Sequence, residues 1–145
     1  GCGALKKVEL NNGLISIGER AFGMTSSLEK IELPDTLELI DDGAFGMGGL
    51  KSITIPGSVK TIGEQAFSNC KSLETVIIEE GVKTLEDICF EYCNNLIKIE
   101  IPESVQEIGW AILEDNYETV TIYSPEGSKA HEYAQEFEHK FKRID

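Results

Sequence analysis

The side chains of this chain best suited to nucleophilic or metal chemistry are four cysteines, two histidines and several adjacent carboxylate pairs. Cys2, Cys70, Cys89 and Cys93 contain no Cys-x-x-Cys spacing, and His131 and His139 lie far from them, in the C-terminal segment. A zinc site needs about four such ligands at short, defined spacings, so no metal is expected. The pairs Asp41-Asp42, Glu79-Glu80 and Glu86-Asp87 fall in expected turns, where adjacent side chains point apart. None belongs to the Asp-x-Asp-x-Asp-Gly loop that wraps calcium. Thiolate or hydroxyl catalysis needs a base within hydrogen-bond reach of the nucleophile. Both histidines are expected on a solvated surface of the terminal segment, away from any nucleophile. The chain is therefore read as a non-enzyme without a cofactor.

What positions these residues is an internal repeat. Leading leucines at Leu5, Leu28, Leu50, Leu73 and Leu96 are separated by 23, 22, 23 and 23 residues. Behind them run the columns Val8, Ile31, Ile53, Val76, Ile99 and then Leu10, Leu33, Ile55, Ile78, Ile101. Further along come Leu14, Leu37, Val59, Val82, Val105 and Ile17, Ile40, Ile62, Leu85, Ile108. A small residue followed by phenylalanine recurs at Ala21-Phe22, Ala44-Phe45, Ala66-Phe67 and Cys89-Phe90, then changes to Ile112-Leu113. Self-similarity at such a period marks a solenoid, in which each unit buries its apolar face against its neighbours.

Each unit has a physical reading. Leu-x-x-Ile-x-Ile alternates with period 2 near its end, which predicts a short strand with one face buried. Pro34, Pro56 and Pro102 follow that strand and stop it, because proline has no N–H for the ladder. The Val-x-x-Ile-Gly segment is expected to turn the chain across the core. The Ala-Phe pair is expected on a short helical return that sends one ring inward per coil.

The motif Leu-x-x-Ile-x-Ile-Pro-x-x-Val-x-x-Ile-Gly-x-x-Ala-Phe-x-x-Cys, as it stands from Leu50 to Cys70, resembles the BspA-type leucine-rich repeat of bacterial surface proteins. The resemblance covers nearly the whole chain. It implies a curved solenoid, commonly part of a longer secreted or cell-surface protein with a role in adhesion, and it implies no particular ligand. Asp41 and Glu86 depart from the pattern by replacing its glycine, repeat 2 is one residue short, and repeat 5 lacks the Ala-Phe pair. The fold expected is α/β: a leucine-rich-repeat solenoid of about five 22–23-residue coils with a parallel strand sheet and a C-terminal helix–strand cap.

All of it is read as one domain. Residues 1–4 are taken as the tail of a preceding repeat, because Cys2 stands three residues before Leu5 as Cys70 and Cys93 stand before Leu73 and Leu96. Thr25 and Met47 are placed in the same column. Residues 5–118 hold the five repeats, and residues 119–145 the cap. Within Tyr117 to Tyr123 the pattern gives a last, shortened strand, then a turn at Ser124-Pro125-Glu126-Gly127. Ser128 is a suitable N-cap for a helix whose apolar residues Ala130, Tyr133, Ala134 and Phe137 fall at i, i+3, i+4 and i+7. Phe141 and Ile144 belong to a final short strand. Trp110 and Ile112 are expected to pack against this cap.

Stacked coils put Cys70 and Cys93 about 5 Å apart, within disulfide reach. They are read instead as small buried residues filling a tight turn, with Cys89 in the core.

Composition narrows the partners. With 13 Lys+Arg against 26 Asp+Glu the formal charge is −13, which disfavours nucleic acid and anionic membrane surfaces. No apolar run approaches the ~20 residues that span a bilayer. The exposed positions of the strand face remain: Lys7, Lys30, Ser52, Thr75, Lys98 in one column and Glu9, Glu32, Thr54, Ile77, Glu100 in the other. Each lysine has a glutamate two residues along on the same face, so the columns neutralise each other laterally. The less charged centre, Ser52, Thr54, Thr75 and Ile77, is the expected contact patch for a protein or glycan. The expectation is a monomeric, non-catalytic binding module, with an extracellular or cell-surface setting implied by the family resemblance alone. A structural spacer presenting another domain is the alternative.

Overall fold

A computed structural model describes residues 1–116 and 118–145; the expected role of Tyr117 in the last strand unit falls outside the described residues. The elements in chain order are β1 (Ser16–Ile17), β2 (Leu39–Ile40), β3 (Ser52–Ile55), β4 (Thr61–Ile62), β5 (Thr75–Ile78) and β6 (Thr84–Leu85). They continue as β7 (Lys98–Glu100), β8 (Glu107–Ile108), β9 (Thr121–Ser124), α1 (Lys129–Glu136) and β10 (Lys140–Arg143). All strand pairs are parallel.

Two sheets form where the repeat predicts one. The repeat strands, joined by the cap strand β10, make the sheet β10-β9-β7-β5-β3, and the Val-x-x-Ile segments make a second, β1-β2-β4-β6-β8. The segment expected merely to cross the core thus lays down a two-residue strand in every coil. Its single inward residue (Ile17, Ile40, Ile62, Leu85, with Ile108 half-buried) carries too little alternation to betray a strand. Because β9 pairs with β7 in the same register as the repeats before it, the solenoid has about six turns, one more than expected.

The return is not helical. It is a run of tight turns with two left-handed positions per coil, one at Arg20, Gly43, Gln65, Ile88 and Ala111 and one at Met24, Met47, Asn69, Tyr92 and Asp115. Amides there alternate between a bond within the turn, as Ala66 N–H to Gly63 O at 3.1 Å, and one to the next coil, as Phe67 N–H to Cys89 O at 2.8 Å. The non-strand side is therefore laced coil to coil as firmly as the sheets, which satisfies backbone groups that burial would otherwise penalise.

Inside, Phe22, Phe45, Phe67 and Phe90 stack in one column with ring centroids 5.2–5.4 Å apart. The last three are fully buried, as the period required. Repeat 2 absorbs its missing residue at Gly48-Gly49. A Cβ on Gly49 would sit 2.1 Å from the Ser26 carbonyl oxygen, so only glycine allows the coils to close there. The deletion also changes which residue fills the cysteine column. Gly48 is buried there, its N–H donating to Phe45 O at 3.1 Å, while Met47 turns outward and is 56% exposed.

The cap forms as its pattern predicts. Ser128 Oγ accepts from His131 N–H at 3.1 Å, Ala130, Tyr133 and Ala134 are buried, and β10 pairs with β9. The histidines differ from expectation. His139 is buried, with its ring stacked on Tyr133, and burial pushes its pKa down. His131 is half-buried on Phe141 at 4.2 Å, and its Nδ1 accepts from Gly127 N–H. The reason is topological: β10 folds back beside β9 and brings Phe141 over His131.

Candidate interaction surface

The wide sheet presents its outward residues as two columns. Register places Ser52 beside Thr75, Thr75 beside Lys98 and Lys98 beside Thr121. Thr54, Ile77, Glu100 and Tyr123 align likewise. Six of the ten expected residues therefore meet on one hydrogen-bonded face. Their inward neighbours Ile53, Ile55, Val76, Ile78 and Ile99 belong to the core, which fixes the outward set by the period of the strand.

The other four are exposed but not joined to that sheet. Lys7, Glu9, Lys30 and Glu32 lie in segments without strand pairing, and open clefts separate the first coil from the second and the second from the third at this level. Lateral pairing is seen at both ends of the column, as Lys7–Glu9 at 2.9 Å and Lys98–Glu100 at 3.3 Å.

One member was missed. It lies in the segment assigned above to the cap, residues 119–145. Tyr123 stands 23 residues after Glu100 and continues the column, half-buried, with Lys98 Nζ 4.6 Å and Lys142 Nζ 5.8 Å from its ring centroid. Extending the repeat arithmetic by one more period would have found it. The face thus runs from a hydroxyl-rich centre to a tyrosine held between two lysines.

The other residues with possible chemistry are committed to structure. All four cysteines are free, and only Cys2 is exposed. Cys70 Sγ donates to Phe45 O and Cys93 Sγ to Phe67 O, each at 3.2 Å, and Asn116 Nδ2 continues the column by donating to Phe90 O at 2.9 Å. The neighbouring Cys70 thiol, with burial adding to the shift, holds Cys93 well above the usual thiol range. Burial raises Cys89 strongly, and the nearby Glu86 and Asp87 carboxylates add to the shift.

Two of the three carboxylate pairs, Asp41-Asp42 and Glu86-Asp87, brace successive coils. Asp42 Oδ1 accepts from Glu64 N–H at 2.9 Å and Asp87 Oδ1 from Trp110 N–H at 2.7 Å. Each aspartate lies over a glycine of the next coil, Gly63 or Gly109, where a Cβ would clash with it. Among the described residues no three His, Cys, Asp or Glu side chains gather as a metal site. Trp110 does not pack into the cap as expected; it is 68% exposed, while Ile112 is fully buried.

A stacked parallel solenoid with a stacked phenylalanine column and a free strand face is a leucine-rich-repeat architecture. The chain belongs to the BspA type leucine rich repeat region family, matched over residues 1–120 in 6 copies. Its structure is similar to that of the pneumococcal vaccine antigen PcpA, with a TM-score of 0.75 and 26% identity over 97% of this chain and 36% of that one. A leucine rich cell surface protein of Faecalibacterium prausnitzii A2-165 shares the fold at a TM-score of 0.55 and 23% identity, covering 88% of this chain and 49% of that one. No curated protein sequence matches the chain. The chain thus spans well under two thirds of the length of either structural relative. No helix among the described residues is long and apolar enough to cross a membrane.

Proposed function

We propose that this chain is a non-catalytic, adhesion-type binding module of a bacterial surface or secreted protein, engaging a protein or glycan across its wide strand face. The observation that carries this reading is the sheet face itself. Ser52, Thr54, Thr75 and Ile77 are held rigid by parallel ladders, take no part in the core, and lead to Tyr123 between Lys98 and Lys142. A face fixed on strands loses little conformational entropy when it binds, and an amphipathic ring at one end supplies contact area. Family membership and likeness to a pneumococcal vaccine antigen favour the extracellular setting.

The test is a binding screen of the chain at physiological salt against extracellular matrix proteins, mucins and a glycan array. The triple substitution Ser52→Lys, Thr75→Lys, Ile77→Lys should abolish a saturable hit and leave the circular dichroism unchanged. Affinity unaltered by the triple substitution would remove the strand face from consideration. No binding by a folded sample would favour a structural spacer instead.

A further inference from the structure

Trp110, the most exposed large apolar side chain among the described residues, follows β8 of the narrow sheet and is not part of the strand face of the wide one. Its backbone is pinned by the bond to Asp87, so the indole is presented from a fixed turn just after β8. It lines a groove between that turn and α1, whose floor adds the half-buried side chains of Ile108 and Phe137. At Glu107, Ile108 and Gly109 this groove runs into a second one along the ends of β6 and β8. Together they form one channel with an aromatic and aliphatic floor at the cap end.

The rim decides what fits. Glu64, Glu86, Asp87, Glu107, Glu132 and Glu136 line the channel. Lys129 is the one cation among its lining residues, and it is already tied to Glu132 at 3.1 Å. Phosphate or sulfate would be repelled there. A neutral sugar would stack on the indole but leave the carboxylates without counter-charges. A polypeptide carrying several positive side chains satisfies both features, because a guanidinium or ammonium group stacks on an indole face and pairs with carboxylates beside it. The formal charge of −13 would also steer a basic partner towards this molecule.

We propose that this channel is a second docking site, separate from the strand face, which takes an extended basic segment of a partner protein with one arginine or lysine side chain over Trp110. The probe is a dye-labelled octapeptide of alternating arginine and glycine, followed by fluorescence anisotropy. Trp110 is the only tryptophan of the chain, so its intrinsic emission reports contact with the unlabelled peptide directly. Saturable binding is expected, with a shift in tryptophan emission and weakening between about 50 mM and about 500 mM salt.

Trp110→Ala should weaken binding about tenfold, and Trp110→Phe less, since the indole is the better cation platform. The double variant Glu107→Gln, Glu136→Gln should weaken it several-fold, whereas Glu79→Gln, Glu80→Gln, outside the channel, should not. Because Trp110 and these glutamates are exposed, the variants keep the fold, and circular dichroism checks that they do. Equal affinity for the Trp110→Ala variant, equal weakening by the Glu79/Glu80 variant, or an emission shift produced by a neutral oligosaccharide but not by the peptide would each overturn the proposal.

Discussion

Phe22 and Phe67 occupy the same column of the same repeat, yet Phe67 is fully buried and Phe22 only partly. The difference follows the position of each coil. Phe67 is stacked between Phe45 and Phe90, whereas Phe22 contacts a ring on one side only. Val8, Leu10, Leu14 and Leu33 share its condition, and the segments that carry Lys7 and Lys30 lack the strand pairing seen from β3 onward. At the other end β9, α1 and β10 close the stack, and Val120, Ile122, Ala130 and Ala134 are buried there. In a solenoid an identical residue is stabilised in proportion to the neighbours on both of its sides, because each unit contacts only the adjacent ones.

The sharpest way to break this comparison is to truncate the same ring at both places. Phe67→Ala should cost about 3–5 kcal/mol of unfolding free energy, the usual range for a buried phenylalanine, and Phe22→Ala about half of that. Chemical denaturation measures both, and equal losses would mean that neighbours do not set the worth of a coil. A smaller effect tests how the second coil is joined to the first. Gly49→Ala forces a Cβ against the Ser26 carbonyl and should cost about 1–3 kcal/mol, whereas Gly18→Ala meets open space and should be near neutral.

The smallest effect sharpens the view of the capped end. Burial favours the neutral imidazole of His139, so its folded-state pKa lies below the ordinary 6.5. As pH falls through the unfolded-state value, the unfolded chain takes up a proton that the folded chain refuses, and stability declines until the folded-state pKa is passed. His139→Gln should flatten the pH dependence of Tm just below neutrality; a slope identical to that of the parent would show that His139 does not contribute to it.

Much of this could be read from residue order. The columns beginning Val8 and Leu10 predict a strand in every coil, which the wide sheet realises only from the third coil onward, and the Ser128 signature locates the start of the cap helix. The second sheet could not be read, because two-residue strands show no alternation. The turns could not either, since left-handed backbone at Arg20, Gln65 and Ile88 is imposed by coil-to-coil bonding and not by residue type. Of the candidate face, Ser52 to Glu100 was legible, but Tyr123 was hidden behind a boundary drawn one period too early. His139 looked polar by its sequence neighbours and is buried because β10 returns to pair with β9.

The sequence by itself determined the repeat, its period, the inward and outward residues of the wide sheet and the closing helix, because these depend on spacing along one strand or one helix. Only the tertiary structure decided that Trp110 stands free beside a channel of carboxylates, that the first coils are less buried than the later ones, and that the aspartates brace the next coil. Those outcomes depend on which coil lies above which, and no pattern within a single coil encodes the distance to its neighbour.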